Sequence, residues 1–289
     1  MSADLDALLT ALYVLVDDFL PRPYGPGRPA RISSAELICL AVAQVLLDCP
    51  QERRFLRFAE QRLGHLFPYI PGQSGFNKRL RRLVPELVAT LGSLPRLSPS
   101  FCDRWRLLDS TPLPCAASRA TVERTQLAGY ASYGYCRSHH RHFFGFRLYL
   151  LLAPDGMPIA YELAPANAPE RPVAAEILER ALKPGQIVIC DKGFAGHEFE
   201  QLVHSLGGTL IRPDRKDEPA RFGPLGGVRQ WIESAIDTLK GQLSLERHGG
   251  RTLAGVIART LQRLTALAAA VLHNSTHGNP GRSLIAYDH

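Results

Sequence analysis

The first hundred residues carry their apolar positions at helical spacing. Leu5, Leu8, Leu9, Leu12, Leu15 and Val16 recur every three or four residues, the period that lines one face of a helix, which predicts a helix over residues 5–20. The run Pro21-Arg22-Pro23-Tyr24-Gly25-Pro26-Gly27-Arg28-Pro29 breaks that pattern, because proline lacks an amide donor and glycine costs backbone entropy; it reads as a linker or extended loop. Ser33 followed by Glu36 forms a capping box and predicts a helix to about Leu47, with Pro50 ending it. Two more helices are expected, one from about Gln51 to Leu66 and one capped by Ser74 and running to about Leu91, with Leu80 facing inward.

After Pro95-Arg96-Leu97-Ser98-Pro99 the texture changes from helical to alternating, which predicts a boundary between a helical domain over residues 1–98 and a second domain over 99–289. The second region reads as a strand over 105–109, a long polar loop over 111–142, a strand over 143–153, a turn at Asp155-Gly156 and a strand over 157–164. Next come a helix over about 171–182, a strand ending at Asp191, a helix over about 197–206 and a strand over 209–213. A Gly/Pro-rich loop over 214–227 leads to helices over 228–240 and 252–273. The order β-β-β-α-β-α-β-α is that of a ribonuclease-H-like α/β fold, a mixed sheet flanked by helices, here behind an all-helical N-terminal domain. In such a sheet the first strand and the strand after the first crossover helix deliver their C-terminal ends to neighbouring positions.

Composition adds a partner class. With 45% apolar residues the chain can bury a substantial core, and 34 Lys and Arg against 27 Asp and Glu leave a formal charge of +7, which favours a polyanion such as nucleic acid. Between residues 50 and 82 stand eight Lys or Arg and two acids. Lys78, Arg79, Arg81 and Arg82 on the predicted Ser74 helix are candidates to enter a DNA groove or grip phosphates; a solvated basic face accounts for them equally well. The longest apolar tract, around Leu264 to Leu272, reads as too short and interrupted to span a bilayer, and Asp4 and Asp6 replace a basic leader, so a cytoplasmic protein without a membrane partner is expected. The six cysteines form no CxxC pair and are expected as reduced thiols.

The candidate chemistry lies in three acids. Asp109 ends the apolar run Arg106-Leu107-Leu108, Asp191 ends Ile187-Val188-Ile189-Cys190, and Glu233 falls on a predicted helix. Carboxylates converging from separate elements can hold divalent cations, the usual machinery of phosphodiester chemistry. Each has a plainer explanation: Asp109 as cap of a Ser110-Thr111-Pro112 turn, Asp191 as a turn former before Lys192-Gly193, Glu233 as partner of a helix neighbour. On the predicted helix Arg229, Glu233 and Lys240 stand at i, i+4 and i+11 and share one face, setting a carboxylate between two cations; Asp237 shares it too and reads best as an ion partner of Lys240.

These residues together resemble the bacterial DDE insertion-sequence transposases. Asp109, then Asp191-Lys192-Gly193-Phe194, then Arg229-x3-Glu233-x6-Lys240 match the family's Asp, its Asp followed by x-Gly-Phe/Tyr, and its Arg-x3-Glu-x6-Lys helix. Gly134-Tyr135 through Gly145-Phe146-Arg147-Leu148 and Asp155-Gly156-Met157-Pro158 also resemble it. The tyrosine often found three residues before the arginine is Gly226 here, and the interval of 42 positions from Asp191 to Glu233 leaves no room for the β-rich insertion of some relatives, as in the compact-core subgroup. The resemblance implies Asp109, Asp191 and Glu233 as catalytic metal ligands for two Mg²⁺ or Mn²⁺ ions, with Arg229, Lys240 and Lys192 on phosphate. It further implies terminal inverted repeats and target DNA as partners, hydrolysis exposing 3′-hydroxyl ends, strand transfer, and a homodimer or higher oligomer on DNA. A metal-dependent endonuclease without strand transfer and a domesticated, non-catalytic DNA-binding protein are the competing functions.

Arg137-Ser138-His139-His140-Arg141-His142 reads as a cationic loop in which Arg137, His140 and Arg141 are candidates to contact DNA backbone; an unspecialised exposed loop accounts for it equally well. A zinc site there with Cys136 lacks a second ligand group at matching spacing. Arg212-Pro213-Asp214-Arg215-Lys216 is a further candidate phosphate contact, or a polar surface loop. Trp231 reads more readily as core than as a base-stacking residue, and Arg251 and Arg259 as surface arginines.

Overall fold

The computed structural model describes residues 4–21, 30–116, 118–136, 140–214, 218, 219, 221 and 225–284, so the proline-rich linker over 22–29 lies outside the described residues. The chain divides into two compact units. One comprises Met1–Leu97, Thr238–Gly250 and Ala254–His289; the other comprises Ser98–Asp237 and Arg251–Leu253.

The first unit opens with helices α1 (Leu5–Phe19), α2 (Ser34–Leu46), α3 (Glu52–Arg62), α4 (Gln73–Arg82) and α5 (Val84–Ser93). Leu5, Leu8, Leu9, Leu12 and Val16 form the buried stripe of α1, which packs on α2 and α5. The capping box is present at the start of α2: Ser33 Oγ accepts from the Glu36 amide at 3.0 Å, and the Glu36 carboxylate accepts from the Ser33 amide at 2.6 Å. The single helix expected over 74–91 is two helices broken at Leu83, with Gly72 rather than Ser74 at the N-cap. Pro85 is the cause: it cannot donate into the ladder of α4, yet it fits the first turn of α5, where its missing amide would have had no partner.

The second unit is built on a six-stranded mixed sheet. In chain order it holds β1 (Trp105–Ala116), α6 (Arg119–Glu123), β2 (Ser132–Cys136), β3 (Arg141–Leu152), β4 (Pro158–Pro165) and α7 (Glu170–Ala181). There follow β5 (Ile187–Cys190), α8 (His197–Ser205), β6 (Thr209–Ile211) and α9 (Gly226–Asp237). The strand path is β2-β3-β1-β5-β6, and β4 also pairs with β3. β1 runs antiparallel to β3 and parallel to β5, and β6 extends the parallel half. β2 and β4 follow one another along the far edge of β3, β2 against residues 141–145 and β4 against 146–152. This is the ribonuclease-H-like mixed α/β architecture, with an N-terminal helical region.

The expected polar loop over 111–142 is largely structured: β1 continues to Ala116, and α6 and β2 occupy much of the remainder. Pro112 and Pro114 concealed this. The β5 partner of β1 stops at Cys190 opposite Leu108; among the described residues no strand pairs with that side of β1 beyond it, and prolines two residues apart can both turn their donor-less nitrogens to that side. Opposite the β1 bulge stands Gly145, where a Cβ would collide with the Leu113 carbonyl. One side of the sheet packs against α7 and α8 through Leu108, Tyr149, Val173, Ile177, Val188 and Val203. α9 packs on β1, with Ile232, Ala235 and Ile236 buried.

A π-helical turn, Thr238–Gln242, follows α9, and the Leu243 amide donates to the Thr238 carbonyl five residues back at 3.0 Å. The last helix, α10 (Leu253–Thr276), was expected in the same domain as the sheet. It groups instead with the N-terminal helices, because its polar residues complete their buried network. Gln262 donates to the Ala41 carbonyl at 2.7 Å and to Gln44 Oε1 at 3.0 Å, and Arg259 donates to Gln44 Oε1 at 3.2 Å. Arg259 also pairs with Glu52, whose carboxylate accepts from Asn77 at 2.7 Å. Arg259 is therefore no surface arginine: it is 8% exposed. The apolar tract is also longer than expected, since α10 is long and apolar enough by composition to cross a bilayer. In this chain most of that helix is buried within the protein.

Removing one member of a buried ion pair leaves the other charge desolvated and alone. Glu52→Ala is expected to lower unfolding stability by about 3–5 kcal/mol in urea titration, whereas Arg119→Ala, which opens the exposed Arg119–Glu123 pair, leaves the midpoint where it was. Burial pushes the thiols of Cys39 and Cys190 far up, so both stay protonated. In the native protein between pH 7 and 9, alkylation read by mass spectrometry should mark exposed Cys102 first and spare these two until denaturant is added.

Candidate active site

The register of two parallel strands builds this site. Leu107 pairs with Ile189 and Leu108 with Cys190, so the next position on each strand, Asp109 on β1 and Asp191 just past β5, falls side by side. Neighbouring strands lie about 4.8 Å apart, and residues at matching register of a parallel pair point to the same face. Asp109 is not at the end of its strand as expected; it sits in mid-strand, at the point where the parallel neighbour stops. No turn follows it, so the turn-cap explanation fails, and its Oδ1 accepts from the Ser110 amide at 2.7 Å. Asp191 begins a short 3₁₀ turn, Lys192–Phe194, without a capping bond from its side chain; the Phe194 amide donates to the Asp191 carbonyl at 3.1 Å.

Glu233 comes from α9. With Ile232 it lines a cleft of about 50 Å³ whose other walls are Leu108, Asp109, Ile189, Cys190 and Asp191. Three acids separated by up to 124 positions in the chain thus border one small volume, two of them half-buried and Glu233 exposed. Cys190 beneath them is kept protonated by burial first and then by the charge of Asp191, with Asp109 adding to it and Arg212 opposing. It acts as an apolar wall, which leaves a donor set of carboxylate oxygens. Such hard oxygen donors suit Mg²⁺ or Mn²⁺, and Mg²⁺ keeps several waters and needs only one or two protein carboxylates. Among the described residues no three His, Cys, Asp or Glu side chains are drawn into a closed metal centre, so the acids border the cleft without caging it.

The other sequence candidates separate into groups. Lys192 is exposed beside Asp191. Lys240 falls in the π-helical turn, where bonds span five residues, so the α-helical count that put it on one face with Arg229 and Glu233 does not apply. Its ion partner is Glu246, at 3.8 Å, rather than Asp237. Arg229 lies in α9, and its side chain lies outside the described residues. On α4, Lys78, Arg81 and Arg82 are exposed, whereas Arg79 is half-buried and donates to the Ile32 carbonyl at 2.7 Å. Arg137 lies outside the described residues; His140 and Arg141 are exposed where β3 begins. Arg212 is not a phosphate contact: it is 2% exposed, and its guanidinium is bound by Glu200 at 2.8 Å and Glu218 at 2.6 Å. Arg215 and Lys216 lie outside the described residues. Trp231, read as core, is 39% exposed.

Arg147 was quoted only as part of a motif, and its place in the fold shows more. It pairs with Glu170 at 3.3 Å, donates to the Tyr135 carbonyl at 3.3 Å, and reaches Ser110 Oγ, next to Asp109, at 3.4 Å. Glu170 in turn sits against Gly193, two residues beyond Asp191, where a Cβ would lie 3.0 Å from its carboxylate. The pair lies on the face opposite Asp109, with Arg147 against β1 and Glu170 against the turn that follows Asp191. A larger hollow of about 630 Å³, lined by Glu170, Arg171, Gly193, Glu198 and Phe199 among others, contains none of the three acids, which border the smaller cleft instead.

No curated protein matches this chain. Its fold is similar to that of a piggyBac transposase in a synaptic complex with hairpin DNA seen by cryo-electron microscopy, at 10% identity and TM-score 0.46, over 99% of this chain and 77% of that one. It is also similar to the chain in a crystal structure of a pre-cleavage Mos1 transpososome, at 14% identity and TM-score 0.25, over 91% and 96% respectively. Residues 100–269 match the family described as Transposase DDE domain, and by that match, which spans more than half of its length, the chain belongs to the DDE transposase family.

Proposed function

We propose that this chain is an active DNA transposase whose chemical centre is the cleft of Asp109, Asp191 and Glu233. It binds the terminal inverted repeats of its element, hydrolyses phosphodiester bonds to expose 3′-hydroxyl ends and transfers those ends to target DNA. The observation that supports this is the convergence of the three acids, from two strands and a helix, on one cleft. The three carboxylates would hold two Mg²⁺ or Mn²⁺ ions, which when bound supply charge neutralisation at the scissile phosphate and at the attacking and leaving oxygens.

The chain's own residues do the rest. Asp109 and Asp191 are fixed by the sheet, so their carboxylates are pre-positioned with little ordering cost. Glu233 enters from a packed helix whose Ile232 and Ala235 are buried, so it approaches from a defined side. Leu108, Ile189 and Ile232 wall the cleft with hydrocarbon, which lowers the local dielectric and strengthens the hold of the carboxylates on cations. Exposed Lys192, with Arg229 and Lys240, is assigned to phosphate, and Lys78, Arg81 and Arg82 of α4 to the backbone of the repeat. Two element ends must be joined to one target, so the working form on DNA is at least a dimer.

Asp109→Asn keeps the size of the side chain and removes its charge. Nicking of a duplex carrying the element's own ends in Mg²⁺ is expected to fall at least a hundredfold, because losing a direct ligand costs more than the ten- to hundredfold typical of outer-shell changes, with DNA affinity by gel shift unchanged. Wild-type nicking undiminished by excess EDTA would refute the metal assignment. Cut ends without joined product would leave a simple endonuclease, and DNA binding without nicking would leave a domesticated binding protein.

A further inference from the structure

The β2–β3 hairpin has two unlike faces. On one, Cys136 and Phe143 pack with Ala166 in a small core of their own. On the other, where an antiparallel hairpin ordinarily turns polar residues to water, stand Tyr133 at 54% and Tyr135 at 41% exposure, with Tyr130 at 54% just before the strand. Tyr133 lies opposite Phe144 and Tyr135 opposite His142 in the register. Both rings are propped: Tyr133 meets Phe144 edge-on at 5.3 Å between centroids, and Tyr135 leans on His142 at 4.9 Å, with its hydroxyl 3.3 Å from His140 Nδ1. Exposed Arg141 and His142 adjoin them at the start of β3.

We propose that this face is a stacking platform for unpaired nucleotides of the DNA strand that leads away from the carboxylate cleft; the proposal rests on the transposase reading above. Rings held in place by neighbours lose little freedom when a base settles on them, and every base offers a π-face only when it is unpaired. Tyr133 and Tyr135 are two residues apart on one strand, about 7 Å, so neighbouring bases can each meet a ring, as sheet-borne aromatics do in other single-strand binders. The flanking cation Arg141 and the two imidazoles suit a phosphate backbone in a chain of formal charge +7. The location also fits. Phe144 and His142 alternate in step with Leu150, the register partner of Asp109, so the platform lies on the Asp109 face of the sheet. Phe144 pairs with Ala116, seven residues along β1 from Asp109, or roughly 20 Å.

The test compares the full-length wild type with the double variants Tyr133→Ala/Tyr135→Ala and Tyr133→Phe/Tyr135→Phe. The probes are a fluorescein-labelled blunt duplex and the same duplex with a single-stranded oligothymidine tail, read by anisotropy at fixed salt. Loss of both rings should weaken binding of the tailed duplex about tenfold or more while binding of the blunt duplex is unchanged, and the phenylalanine pair should bind both like wild type. Equal binding of the tailed duplex by the alanine pair and wild type overturns the proposal, and so does an equal loss on both probes. A phenylalanine pair as weak as the alanine pair overturns stacking in favour of hydroxyl contacts. If the alanine pair instead changes the sedimentation of the DNA-free protein, the face is a contact between copies of this chain and the proposal falls. Metal-dependent nicking by the wild type, measured in parallel, reports on the transposase reading separately: absence of nicking together with ring-dependent tail binding would sink that reading and leave the platform standing.

Discussion

The hydrogen-bond register between β1 and β5 is the constraint on which the candidate site rests. Leu107, Leu108, Val188 and Ile189 are all buried, on both faces of the sheet, so a slide of β1 by one residue would carry the Asp109 carboxylate into a place now filled by packed Leu108. β3 grips β1 from the other side through nine register pairs, from Leu107 opposite Leu152 to Ala116 opposite Phe144, which makes a slip costlier still. Asp109 and Asp191 are adjacent because of this packing and not because of any attraction between them. Everything assigned to the cleft, including the approach of Glu233 from α9, is arranged around that fixed pair.

Much of this was legible in the chain because local patterns agree with the final structure. The leucine stripe of α1, the Ser33–Glu36 box and the apolar run before Asp191 each dictate their element with little help from distant residues. Legibility failed where a local signal was true but its consequence depended on a partner. Pro112 and Pro114 do forbid a central strand, yet among the described residues β1 pairs on one side alone beyond Leu108, a fact written in the shortness of β5 and not in β1 itself. The three acids were identifiable by type and by the motif around them. That their strands would meet in register, and that Arg147 and Glu170 would pair on the face opposite Asp109, follows only from the topology.

The helical unit shows the same limit in another form. Arg259 reads as a surface arginine, which is how a charged residue looks when only one helix is in view, and Gln262 and Arg263 stand beside it on the same helix. In the structure Gln44, Glu52 and the Ala41 and Ser244 carbonyls meet them, so groups that are costly to bury singly become affordable as a satisfied network. A purely apolar α10 could pack against α2 in several rotations; the paired Gln44 and Gln262 leave few of them satisfied. Polar specification of this kind joins the end of the chain to its beginning across more than 200 residues of sequence, Gln262 to Ala41 being 221 apart.

The electrostatics of the cleft follow from the same geometry. Asp109 and Asp191 stand side by side in the register and Glu233 borders the same cleft, so three carboxylates share one small volume. Arg212 is committed elsewhere: Glu200 and Glu218 hold its guanidinium, an arrangement that raises its own pKa. Lys192 is exposed, so solvent and salt screen its effect. Carboxylate oxygens are hard donors, and a set of them carried on one rigid register is chemistry that suits a small divalent cation.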